Sequence, residues 1–207
     1  VFDFRGRVKL ASDDTTLAFV IDYPIRGKKL EQCMDILYRW YAEYLLSSGH
    51  ENQIYFFMPG NYILWWNNWK KGLRPQYHGV KIRLNKTANP DSSRPVFEDY
   101  LREVFYYSYT QTAYFAYRCV NIEDLQIGDF IIKKGPKGHA VMIVDMAIDD
   151  NDNKVVLVGH GGTPAREFHL LNYKQNNPWI PVNSHSDYIA LPIKKKMPWD
   201  GLRRFSR

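Results

Sequence analysis

Cysteine is scarce: the chain has two, Cys33 and Cys119, in 207 residues. One disulfide is conceivable, but so sparse a pair defines neither a disulfide-stapled scaffold nor a redox compartment. Long apolar runs are missing as well. None approaches the roughly 20 residues a helix needs to cross a bilayer, so no membrane span is expected. The chain opens on Val1 with no signal-like apolar segment, as expected if a leader or N-terminal region precedes it. Several chemical signatures are absent. Without H-E-x-x-H or C-x-x-C, and with no further ligands in register, metal chemistry loses its usual frame, and no metal or cofactor is expected. Without G-x-S-x-G, the run Gly159-His160-Gly161-Gly162 is not a lipase oxyanion loop, nor does it end like a phosphate-binding loop.

Aromatics are plentiful, with 15 Tyr, 11 Phe and 6 Trp. Such residues fill cores first, but exposed ones stack on sugars or bases, so Trp65, Trp66 and Trp69 are candidate binding residues as well as candidate core anchors. Net charge is +6, and part of the excess gathers at the end of the chain, in Lys194, Lys195, Lys196, Arg203, Arg204 and Arg207. A basic C-terminal tail is therefore expected over about 193–207, ordinarily a solvated one. The rest is nearly balanced, which argues against a dedicated nucleic-acid binder.

Periodicity orders the remainder. Two short extended pieces are expected over 8–22. Apolar residues recur at helical spacing from about Lys29 to Ser48, stopped by Gly49; Lys28 and Lys29 oppose a helix dipole, so a start near Leu30 would place Cys33 in the first turn. Strands are expected over 54–58 and 80–84, and a second helix over 95–109 with Pro95 in its first turn. A strand-rich region follows at 130–133, 139–147, 154–159, 168–170 and 188–191. Helices first and strands later indicate a single α+β domain over 1–207.

The hairpin after Gly138 carries a geometric expectation. With the turn centred on Asn151, Ala147 faces Lys154 and Val141 faces His160. His139 and His160 then share a face as diagonal neighbours about 7 Å apart. Asp145, six residues along the strand, would lie about 20 Å from His139, too far to orient its ring. His169 and the His185/Asp187 loop are weaker substitutes. A thiol nucleophile remains: Cys33 early in a helix, His139 opening a strand as base, and His160 to orient the imidazole. A buried structural thiol is the ordinary alternative for Cys33 and for Cys119.

Asp124-Leu125-Gln126-Ile127-Gly128-Asp129-Phe130-Ile131-Ile132, followed by Gly138-His139-Ala140-Val141-Met142-Ile143-Val144-Asp145, resembles the histidine half of NlpC-type and CHAP-type cysteine hydrolases. Glu31-Gln32-Cys33 is similar to the short Gln-Cys motif of the CHAP type. The resemblance implies a papain-like arrangement, with helices packed on a mainly antiparallel sheet or partial barrel. It implies a cysteine peptidase or amidase acting on peptide or amide bonds, with a peptide-containing envelope polymer as partner. Catalysis would fall to Cys33, His139 and His160, with the Gln32 side chain assisting at an oxyanion site and no cofactor. The long interval from Cys33 to His139 implies an insertion relative to the small NlpC-type domains. A closer likeness, through Leu30-Glu31-Gln32-Cys33-Met34-Asp35, Thr87-Ala88 and the Gly-Asp/Gly-His block, is to an uncharacterised bacterial domain-of-unknown-function family. It implies an exported, periplasmic or envelope-associated protein. The alternative is a non-catalytic domain on the same scaffold that binds an anionic or carbohydrate partner.

Overall fold

A computed structural model describes residues 1–79 and 81–205. Four α-helices lie among the described residues: α1 (Cys33–Ser47), α2 (Trp66–Trp69), α3 (Arg94–Tyr107) and α4 (Thr110–Ala116). The strands are β1 (Leu17–Val20), β2 (Tyr55–Met58), β3 (Tyr62–Trp65), β4 (Leu73–His78), β5 (Lys81–Lys86), β6 (Arg118–Cys119), β7 (Phe130–Lys133), β8 (His139–Ile148), β9 (Lys154–His160), β10 (His169–Leu171), β11 (Ile180–Pro181), β12 (Tyr188–Ile189), β13 (Met197–Pro198) and β14 (Leu202–Arg204). The main sheet runs β1-β10-β9-β8-β7-β14-β6, with β11 also paired to β9, and its pairings are antiparallel. The ladder is open rather than closed into a barrel. This is the mixed α+β class that the segment order indicates, and its pairing is mainly antiparallel.

Alternation along the central strands fills both faces. Ala140, Met142, Leu157, Ile132 and Leu170 join α1 and α3 in one apolar cluster, while Val141, Ile143, Val156, Val158 and Leu171 build a second on the other face. Both faces of β9 and of the first half of β8 are thus largely removed from water, which fixes register strongly. The segment between α1 and β7 holds the β2–β3 and β4–β5 hairpins, the helices α2, α3 and α4, and the short strand β6.

Several expectations change here. The second helix ends at Tyr107, and α4 is a separate element. Of the strand expected over 80–84, Val80 lies outside the described residues and the remainder belongs to β5. Trp66 and Trp69 are buried among Phe97 and Tyr100, so the ligand-platform reading fails for both. Trp65, half-buried, packs on Tyr55 across the β2–β3 hairpin. The tail is corrected most. Over its described part it is not a solvated extension: β14 lies between β7 and β6, and Phe205 is in the core. Arg204 grips the buried Asp129 carboxylate at 2.6 and 2.8 Å, and Arg203 donates to the Tyr114 carbonyl at 2.7 Å. The charges of Arg203 and Arg204, which a linear reading assigns to solvent, are consumed internally, while Lys194 and Lys196 stay exposed. Ser206 and Arg207 lie outside the described residues.

Candidate functional site

Helix α1 begins at Cys33, with extended Gln32 as its N-cap. The Asp35 carboxyl group accepts the Gln32 backbone N–H at 3.0 Å, closing the first turn. Cys33 therefore occupies the first helical position, where backbone N–H groups lack intrahelical acceptors. Burial raises the Asp35 carboxyl well above the usual carboxylate range, favouring its neutral form.

The Cys33 side chain is only 5% exposed, yet belongs to neither apolar cluster. Its sulfur lies 4.0 Å from Thr163 Oγ1, and that hydroxyl donates to Gln32 Oε1 at 3.0 Å. Burial, then Asp35, pushes the thiol pKa up, while Thr163 and the backbone N–H groups of Ala140 and Met34 oppose the rise. Ala140 directly follows His139, so the helix start and the strand start meet at the sulfur. Among the described residues, no hydrogen bond joins the sulfur to the His139 ring.

His139 Nε2 and His160 Nδ1 are hydrogen-bonded at 2.8 Å, their rings nearly perpendicular. The hairpin register that brings them together has two parts. At the turn, Ala147 pairs with Val155 and Ile148 with Lys154, one residue away from the expected pairing. An irregularity between Ile143 and Asp145 then restores the offset, and Met142 pairs with Gly159, which places Val141 opposite His160. His169 lies directly opposite His160 across β9 and β10, their ring centroids 4.4 Å apart, and donates from Nδ1 to the Glu167 carbonyl at 2.9 Å. His185 and Asp187 are exposed in the loop before β12. Asp145 is exposed beyond the bulge.

Burial disfavours protonation of all three imidazoles. His139 is pushed down to about 3 by desolvation, then Lys195, Arg166, His169 and Lys133; His169 falls to about 4, and His160 lies well below its ordinary value. At neutral pH the cluster is uncharged. His160 Nε2 is buried without a hydrogen-bond partner.

Sequence reasoning missed Thr163, Arg166 and Lys195 and left His169 unplaced. Lys195 Nζ donates to the Lys137 and Gly138 carbonyls at 3.0 Å each, pinning the loop that delivers His139. The Arg166 guanidinium lies on the Gly162 backbone: a Cβ there would meet Arg166 Nε at 1.9 Å. Gly161 is also closely approached, less tightly, since a Cβ would come 2.9 Å from Ile36 Cγ2 of α1. Reading Gly161-Gly162 as close-approach glycines between paired strands would have pointed to this loop. An apolar cavity of about 500 Å³, lined by Trp40, Tyr44, Met142 and Phe168 among others, does not include the thiol or the paired imidazoles.

Fold and site together define an α+β domain with an open, mainly antiparallel sheet, a buried imidazole cluster at its strand ends and a buried cysteine at the adjoining helix start. The chain belongs to the family described as Domain of unknown function (4846), whose model matches residues 1–196. Nothing matches among curated proteins or among solved structures.

Proposed function

We propose that this domain is a papain-like thiol hydrolase acting on peptide or amide bonds. The observations that carry the reading are a cysteine at a helix start whose sulfur meets the backbone N–H of Ala140, the residue after His139, and the hydrogen bond between the His139 and His160 rings. His139 Nε2 donates to His160 Nδ1 in the reactive tautomer, leaving His139 Nδ1 to take the thiol proton. The sulfur then bonds to the substrate carbonyl carbon, and the oxyanion accepts hydrogen bonds from the Cys33 backbone N–H and the Gln32 side-chain amide. The His139 imidazolium returns its proton to the leaving nitrogen as the C–N bond breaks. In the second half His139 removes a proton from water, hydroxide adds to the thioester, and the C–S bond breaks with reprotonation of the thiol. His160 acts as a positioning residue, holding the His139 tautomer. Peptide-containing envelope polymers, and hence an exported setting, are the substrate context that the resemblance suggests.

Because the resting imidazoles and thiol are neutral, His139 acts as a general base rather than as half of a preformed ion pair. The test is iodoacetamide alkylation followed by mass spectrometry across pH, with exposed, free Cys119 as reference in the same chain. His139→Ala should change the rate and pH profile at Cys33 and leave Cys119 alone. Superimposable Cys33 curves for the two proteins would overturn the scheme.

The second reading, a non-catalytic domain for an anionic partner, draws on the missing thiol–imidazole hydrogen bond and the unpaired Arg166. Its carbohydrate version loses the support of Trp66 and Trp69, which are buried.

A further inference from the structure

Arg166 lies on the loop between β9 and β10, half-buried, with its Nε shielded from water and without a hydrogen-bond partner. Among the described residues, no ion pair involves it. A guanidinium in that position has lost part of its hydration without gaining a carboxylate, an arrangement that ordinarily costs stability. The loop is shaped to accept it: Gly162 has no Cβ where the guanidinium rests. The next residue, Thr163, touches the Cys33 sulfur and Gln32. The charge lies close enough to the sulfur that a Cys33 thiolate would favour the protonated arginine, and Lys195 feels the same thiolate. The nearby acids are engaged elsewhere. The Glu167 carboxylate accepts the Phe2 N–H, Asp3 is paired with Arg7 and Lys9, and Asp35 closes the first turn of α1.

We propose that Arg166 is the anchor for a carboxylate on the substrate, so that the hydrolase prefers peptide or amide substrates bearing an acidic group beside the scissile bond. The proposal rests on the thiol-hydrolase reading for its chemistry, but its binding step stands apart from it. A planar carboxylate suits a guanidinium that can offer its terminal nitrogens as a fork. Arg166 also disfavours the His139 and His160 imidazolium forms. A carboxylate bound to Arg166 offsets that charge and makes it easier for His139 to accept the thiol proton. Substrate would thereby relieve a restraint present in the free protein.

The experiment is calorimetric titration of Cys33→Ala protein, which keeps the binding step and removes the chemistry. Four small probes separate the sources of the carboxylate. N-acetylglutamate carries both carboxylates, N-acetylglutamine only the α-carboxylate, N-acetylglutamate α-amide only the side-chain carboxylate, and N-acetylglutaminamide neither. The proposal expects at least one acidic probe to bind about tenfold or more tightly than the neutral one, an advantage abolished by Arg166→Gln and partly kept by Arg166→Lys. Gly162→Ala, which retains the arginine but fills its seat, should weaken acidic-probe binding and leave the circular dichroism spectrum unchanged. Equal binding of all four probes, or an acidic preference that survives both Arg166→Gln and Gly162→Ala, would overturn the anchor. Failure of the hydrolase reading shows separately, as unchanged Cys33 alkylation in His139→Ala.

Discussion

At Cys33, two local effects oppose each other. The first position of a helix and nearby N–H groups favour a thiolate, but desolvation ranks first and wins, so the thiol pKa lies above its ordinary value. The alkylation rate of Cys33 should therefore rise at higher pH than that of a free thiol, whose ordinary pKa is about 8.5. A Cys33 that reacts fully below neutrality would show that the sulfur is not held as described. If a substrate with the proposed carboxylate is cleaved, His139→Ala should reduce kcat by about a hundredfold or more. His160→Gln should reduce it less, and both losses should appear in kcat rather than KM. The residue types were legible: Gln32, Cys33, His139 and His160 stand in short motifs. Arg166 was not, because an arginine in a Gly-Gly-Thr-Pro loop has no meaning until its lack of a partner is seen.

At the scale of elements, the β8–β9 hairpin shows how a correct pair can follow from an imperfect register. Strand alternation gave His139 and His160 a common face, but the turn pairing was one residue out, and only the irregularity before Asp145 restored it. A bulge leaves little trace in the apolar first half of β8, because both faces are buried from His139 to Ile143 and no polar alternation precedes the slip before Asp145. The glycine at position 201 governs a second junction. A Cβ there would come 2.0 Å from the Ile132 carbonyl oxygen, a backbone atom that cannot turn away. Gly201→Ala should therefore separate β14 from β7 and lower stability by about 1–3 kcal/mol, read as a reduced denaturant midpoint with the same site residues present.

Across the whole molecule, three neutral buried imidazoles tie stability to pH. Their folded pKa values are depressed, so the unfolded chain binds protons that the folded chain refuses. The stabilising contribution is complete above about 6.5 and is lost as pH falls toward the folded values, about 3 for His139 and about 4 for His169. Each imidazole should cost on the order of 1.4 kcal/mol per pH unit within that window. A melting temperature that does not fall between pH 6.5 and 4, or a His169→Gln variant with the same acid slope, would contradict this. The C-terminal strand is a second global determinant. The family match ends at residue 196, yet β14 beyond it sits inside the sheet. Deleting residues 197–207 should abolish the cooperative thermal transition.

By itself the sequence determined the α+β class, a strand-rich second half, and the cysteine and two histidines of the candidate site, because periodicity and short motifs are local properties. Tertiary structure alone decided that Trp66 and Trp69 are core, that the basic tail becomes a paired strand, that His169 joins the imidazoles and that Arg166 stands unpaired beside the thiol. Each of those depends on what lies opposite a residue across the sheet or the loop. Distant pairing of that kind is set by the competition of all buried groups at once, and no local stretch of chain records its outcome.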